Sequence, residues 1–150
     1  MSGTDYSLAY RVSRAAATVV FNIVLWVIVP ALIFNQIEHG LPSTPIGVSG
    51  EFIYTFGLVI TALQAMGALT VGMALSVPFT SGSYIAEAYY IWAAVNGGLM
   101  AFSAAGASIT LSFQPLLFLL MLAPLFNAVR APIGYMLDQS EAALPAPETA

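Results

Sequence analysis

Six polar side chains interrupt the long apolar runs of this chain: Asn22, Gln64, Asn96, Ser103, Gln114 and Asn127. An amide or hydroxyl in hydrocarbon must find a partner, because no water is there to replace it. Spread singly between helices, such groups act as glue worth on average about 0.6 kcal/mol each. Gathered in one place, they line a polar path for an ion or small solute. Asn22, Gln64, Asn96 and Ser103 are the candidates for that path. Gln64 and Asn96 are the pair expected to meet. Packing glue is the reading that carries more weight.

The charged residues give weaker chemistry. His39 is the sole histidine and lies in "QIEHG" at the end of an apolar run. Its neighbour Glu38 cannot share a ligand with it on a helix, because adjacent residues face apart. A solvated junction is the expected role. Glu51 and Glu87 are read at the entrances of apolar runs, where a carboxylate suits the positive helix end. Proton-coupled transport normally places an acidic residue inside a span, and with Glu87 at an entrance no such residue is expected. Arg130, near the end of the last run, is a candidate contact for lipid phosphate or another anion, or a partner for Asp138; ordinary snorkelling at the boundary is the simpler account. Cysteine is absent, so thiolate catalysis, thiolate metal sites and disulfides are excluded. No nucleophile–base constellation is visible, and neither an enzyme nor a cofactor or metal is expected.

These side chains must be held by elements that the composition identifies. Only 7% of the residues are charged and 59% are hydrophobic, against about 25% charged in a soluble domain. Too few charges exist to cover a surface in water. The apolar runs are continuous and reach the roughly 20 residues that cross a bilayer, which favours helices over the short alternating segments of a β-barrel. The expected fold is all-α and integral to the membrane, a bundle of four transmembrane helices with short loops. The spans are read at 15–36, 52–77, 86–109 and 114–136. Residues 1–14 are read as a cytoplasmic leader or interfacial helix, and 138–150 as an acidic, disordered tail. Pro78 and "FTSGSY" are read as the turn before span three, and "TLSFQP" as the turn before span four. The first run lacks a small-residue cleavage site and is read as a retained span. Pro30 interrupts span one, and Pro124 and Pro132 favour bends in span four.

Arg11, Arg14 and Arg130 are the only cations. With four spans all three fall on one side, and the positive-inside rule puts both termini in the cytoplasm. The net charge of −4 offers no basic surface to nucleic acid.

The stretch "AVNGGLMAFSAAGAS" is apolar yet built of small side chains. On a helix, Ala93, Gly97, Ala101 and Ala105 would share one face, and Thr61, Ala65, Ala68 and Gly72 would form a similar row on span two. Such rows let backbones approach in lipid, where burying leucine gains little. Spans two and three are therefore expected to pack through these rows. The function expected from this sequence is non-catalytic: an accessory or scaffold subunit within a larger membrane assembly, with the lipid bilayer and other membrane subunits or copies of itself as partners. The alternative is a small homo-oligomeric channel or carrier lined by Gln64, Asn96 and Ser103.

Overall fold

The computed structural model describes residues 6–40, 49–104 and 107–142, without the side chains of 34, 37–40, 100–104, 107–109, 111, 141 and 142. Helix starts follow their caps. The Ser7 hydroxyl accepts the Tyr10 N–H at 3.3 Å and opens α1, Leu8–Ile23. The Ser49 hydroxyl accepts the Phe52 N–H at 3.2 Å and opens α3, Gly50–Leu69. Each satisfies one of the donors that a helix start leaves free. From α1 the chain runs without a break through a π-helical turn, Val24–Ile28, into α2, Val29–Gly40. Arg11 and Arg14 thus sit in the first turns of the same helix, and the division expected near residue 14 is absent.

The third run departs most from expectation. Helix α4 spans Ser76–Ala94, and a turn at 70–75 precedes it. "FTSGSY" is helical. Pro78 lies in the first turn, where a missing N–H leaves no bond unmade. The helix expected to reach residue 109 stops at Ala94, because Asn96, Gly97 and Gly98 have φ of 49°, 65° and 82°. Three successive left-handed residues cannot continue a right-handed helix. After them come β1, Leu99–Ala104, and β2, Ala107–Ser112, paired antiparallel from Leu99↔Ser112 to Ala104↔Ala107. Phe113 N–H donates to the Gly98 carbonyl at 2.9 Å and closes the base of the hairpin. A Cβ at Gly98 would stand 2.9 Å from the Gln114 Cα, so glycine is required there by both torsion and space. Helix α5, Gln114–Ala142, follows, with Pro124 and Pro132 inside it.

Among the described residues, three helical stretches are long and apolar enough to cross a membrane: Leu8–Ile33, Gly50–Leu69 and Gln114–Ser140. Helix α4 has the length, 19 residues, but carries a polar stripe. The helices pack as a row. Helix α1 packs on α3, α3 on α4, and α4 on α5, while α1 and α5 share no extended contact. The core lies at one end of the α1–α3–α4 seam. Ile53, Ile60 and Tyr90 are buried there against Trp26, Phe52 and Phe56. Trp26 meets Tyr90 edge to face at 5.6 Å, an arrangement that suits the ring quadrupoles.

Two prolines tie this row together. Pro30 has no N–H for the carbonyl four residues back, that of Trp26, and Pro132 has none for that of Ala128. Each freed carbonyl is taken by a hydroxyl of α4. Tyr90 Oη donates to Trp26 O at 3.3 Å, and Ser81 Oγ donates to Ala128 O at 2.9 Å. An unpaired buried carbonyl costs about 1–3 kcal/mol. The double variant Ser81→Ala/Tyr90→Phe is therefore expected to lower stability by roughly 2–6 kcal/mol on that scale. Denaturation in detergent micelles measures it, and an unchanged midpoint would show that the freed carbonyls do not need α4.

Candidate functional site

The α1–α3–α4 seam holds a chain of polar side chains, one from each helix. Asn22 Nδ2 of α1 donates to Gln64 Oε1 of α3, and Gln64 Nε2 donates to Glu87 Oε1 of α4. Asn22 and Glu87 are 2% and 7% exposed; a carboxylate so enclosed is rare unless paired. Its partner here is an amide and not a cation.

Helix α3 can hold Gln64 between two neighbours because it is narrow on that face. Gly57 and Gly67 are its points of closest approach. A Cβ on Gly57 would lie 2.5 Å from Trp26 O, and one on Gly67 would lie 2.7 Å from Thr80 Oγ1. Thr61 is buried and turns its hydroxyl back onto the Gly57 carbonyl at 2.7 Å. Helices α1 and α4 both pack on α3 and share no extended contact with each other. They leave a side-open groove of about 420 Å³, walled by Phe21, Trp26 and Tyr84 and reached by Asn22, Gln64 and Glu87.

The candidate residues read from sequence fall in several places. Asn22 and Gln64 meet. Asn96 is exposed in the left-handed turn after α4 and is not part of the chain; the partner of Gln64 on α4 is Glu87. Ser103 lies in β1, and its side chain is outside the described residues, as are those of Glu38 and His39. Of the row assigned to α3, Thr61 and Ala68 are buried, Ala65 is half-buried, and Gly72 has left the helix with φ of 81°. Of the row assigned to span three, only Ala93 is helical. Gly97 is in the turn, Ala101 is in β1, and Ala105 is outside the described residues. The expected common face does not exist, because a hairpin replaces the helix. Glu51 is exposed in the first turn of α3. Gln114 and Asn127 are exposed on α5. Arg130 is exposed on α5 and lines a cavity of about 360 Å³ that Tyr6, Asn127 and Asp138 also line.

Glu87 is the residue that sequence reasoning misplaced. With α4 starting at Ser76, it is the twelfth residue of the helix and not the second of a span. The signal is in the spacing. Ser76, Thr80, Ser83, Glu87 and Tyr90 recur at alternating steps of four and three, which is one helix face. That polar stripe points at α3.

Comparison with family models, curated proteins and solved structures finds no match to this chain.

Proposed function

We propose that this chain is a four-span integral membrane protein, non-enzymatic, with both termini in the cytoplasm, serving as an accessory or scaffold subunit of a larger membrane assembly. The observation that carries this reading is the open row. The helices α1 and α5 stand at its two edges with one long helical neighbour each. Most of the girth of α5 is uncovered, including Leu116, Phe118, Leu119, Phe126 and Val129. A closed bundle satisfies its own helices, whereas a row leaves two edges for neighbours that pack in lipid by close contact. The orientation draws support from Arg14 and Arg130, which line neighbouring cavities sharing Ser76, Thr80 and Tyr84. Cations gathered at one end suit the cytoplasmic face.

Photo-crosslinkers at Val20 and Leu119, followed by isolation in mild detergent, test the proposal. A fixed set of other membrane subunits joined through both edges is the expected result. A monomer without crosslinks would overturn it. A homogeneous ring of copies would instead support a second reading, a small homo-oligomeric channel or carrier. What favours that reading is the enclosed chain of Asn22, Gln64 and Glu87.

A further inference from the structure

Among the described residues, the groove at the polar chain continues toward one end of the bundle. The groove at Glu87 shares Thr18, Gln64 and Tyr84 with a second cavity of about 200 Å³, which adds Ser76, Thr80, Ser83 and Arg14. That cavity in turn shares Ser76, Thr80 and Tyr84 with the vestibule of about 360 Å³ that Arg130 and Asp138 line. Hydroxyls thus follow one another from the buried carboxylate to the end of the bundle where the arginines lie. In the opposite direction the seam is filled by Ile53, Ile60 and Tyr90, with Trp26, Phe52 and Phe56 packed on them. Rings stack there at 4.4 Å for Phe52–Phe56 and 5.9 Å for Phe52–Tyr90. One half of the seam is a polar stepping path and the other is an apolar plug.

We infer that Glu87, held by Gln64 and Asn22, is a proton-binding site reached by a half-channel from the arginine-bearing end of the bundle. A proton delivered by water in the vestibule forms an O–H bond on the Glu87 carboxylate, and nothing is oxidised or displaced. Gln64 Nε2 can donate to the same side chain in both states, since a neutral carboxyl keeps an acceptor oxygen and gains a donor. An ionisable group enclosed within a membrane bundle without a cationic partner is costly, and where one is kept it marks an ion or proton pathway. The other titratable groups along this path are few. Tyr84 and Tyr90 share α4 with Glu87, Arg14 enters from α1, and Tyr6, Arg130, Tyr135 and Asp138 border the vestibule. Helix α3 contributes Gln64, and its own Glu51 and Tyr54 are exposed near its start. The inference rests on the membrane placement proposed above, but on neither the subunit reading nor the channel reading.

The chain has no cysteine, so single cysteines can be read directly. In proteoliposomes, an impermeant maleimide should label Thr18→Cys and Thr80→Cys from the arginine-bearing side. Ile60→Cys, whose parent side chain is fully buried, should stay unlabelled from either side. Infrared difference spectra of the unaltered chain should show a carboxylic-acid carbonyl band that rises and falls with pH and is lost in Glu87→Gln. Should Glu87→Gln fail to fold, a hydrophobic carbodiimide on the unaltered chain gives the answer, as an adduct on the Glu87 peptide that alkaline pH suppresses. Equal labelling of Ile60→Cys and Thr80→Cys, the lack of both band and adduct, or a band that follows sodium and not pH, would overturn the inference. Release of the chain from membranes by alkaline carbonate would mark a different failure, that of the membrane reading itself.

Discussion

Gly57→Ala is expected to force the π-helical turn Val24–Ile28 and α3 apart. The added Cβ would lie 2.5 Å from Trp26 O and 2.7 Å from Val27 Cγ2. The nearer atom is backbone, so no side-chain rotation relieves it. Overpacking of this kind costs about 1–3 kcal/mol, and the site also holds the Trp26 carbonyl that Tyr90 Oη reaches. The upper end of that range is expected. Gly82→Ala on α4 supplies the contrast, because a Cβ there has nothing within 4 Å. That change should raise stability by up to about 1 kcal/mol through helix propensity alone. The same chemical substitution thus acts with opposite sign at two helical positions. Thermal unfolding in one detergent measures both, and a shift of the same sign in the two variants would remove Gly57 as the point where the π-helical turn meets α3.

Gln64→Leu is expected to do comparable damage by a different route. Gln64 is the middle of the polar chain, and its loss deprives Asn22 and Glu87 of a partner at once. Two estimates compete. Interhelical hydrogen bonds in membranes average about 0.6 kcal/mol, whereas a buried polar group left unpaired costs about 1–3 kcal/mol. The second applies, since Asn22 and Glu87 stay enclosed after the substitution. A loss of roughly 2–6 kcal/mol follows for the pair. The triple variant Asn22→Leu/Gln64→Leu/Glu87→Leu should recover most of this, because an apolar seam leaves nothing unsatisfied. Stability equal to the parent in Gln64→Leu, or a triple variant no better than the single, would show that the three side chains are not coupled.

The chain's hydropathy makes three helices legible in the sequence. The runs that became α1–α2, α3 and α5 are long enough that little else could be made of them. Helix α4 was obscured by its own chemistry. Ser, Thr, Gly and Pro near residue 80 read locally as a turn, yet Pro78 falls where a helix tolerates it. Ser83 Oγ bonds back to the Thr80 carbonyl at 2.8 Å without breaking the helix. A helix read from residue 86, ten residues after its start at Ser76, makes Glu87 an edge residue and hides the enclosed carboxylate. At the other end, small residues on a four-residue repeat suggested a helix face. The left-handed sequence Asn96–Gly97–Gly98 decided otherwise, and Phe102, Ile109 and Thr110 after it are residues suited to strands. The small-residue row read on α3 is Thr61, Ala65, Ala68 and Gly72, whereas the positions of closest approach are Gly57 and Gly67. Which glycine faces a neighbour depends on where the neighbour lies, and one helix's sequence does not contain that.

The row of helices also bears on how the chain can assemble as it is made. Every long helix packs on the long helix made just before it: α3 on α1, α4 on α3, α5 on α4. No early segment must wait for the last to close a ring, so docking can proceed stepwise behind the ribosome, with short loops to close at each stage. An early α1–α3 hairpin would carry Asn22 and Gln64 already joined, and the arrival of α4 would then add the acid to a receptor formed in advance.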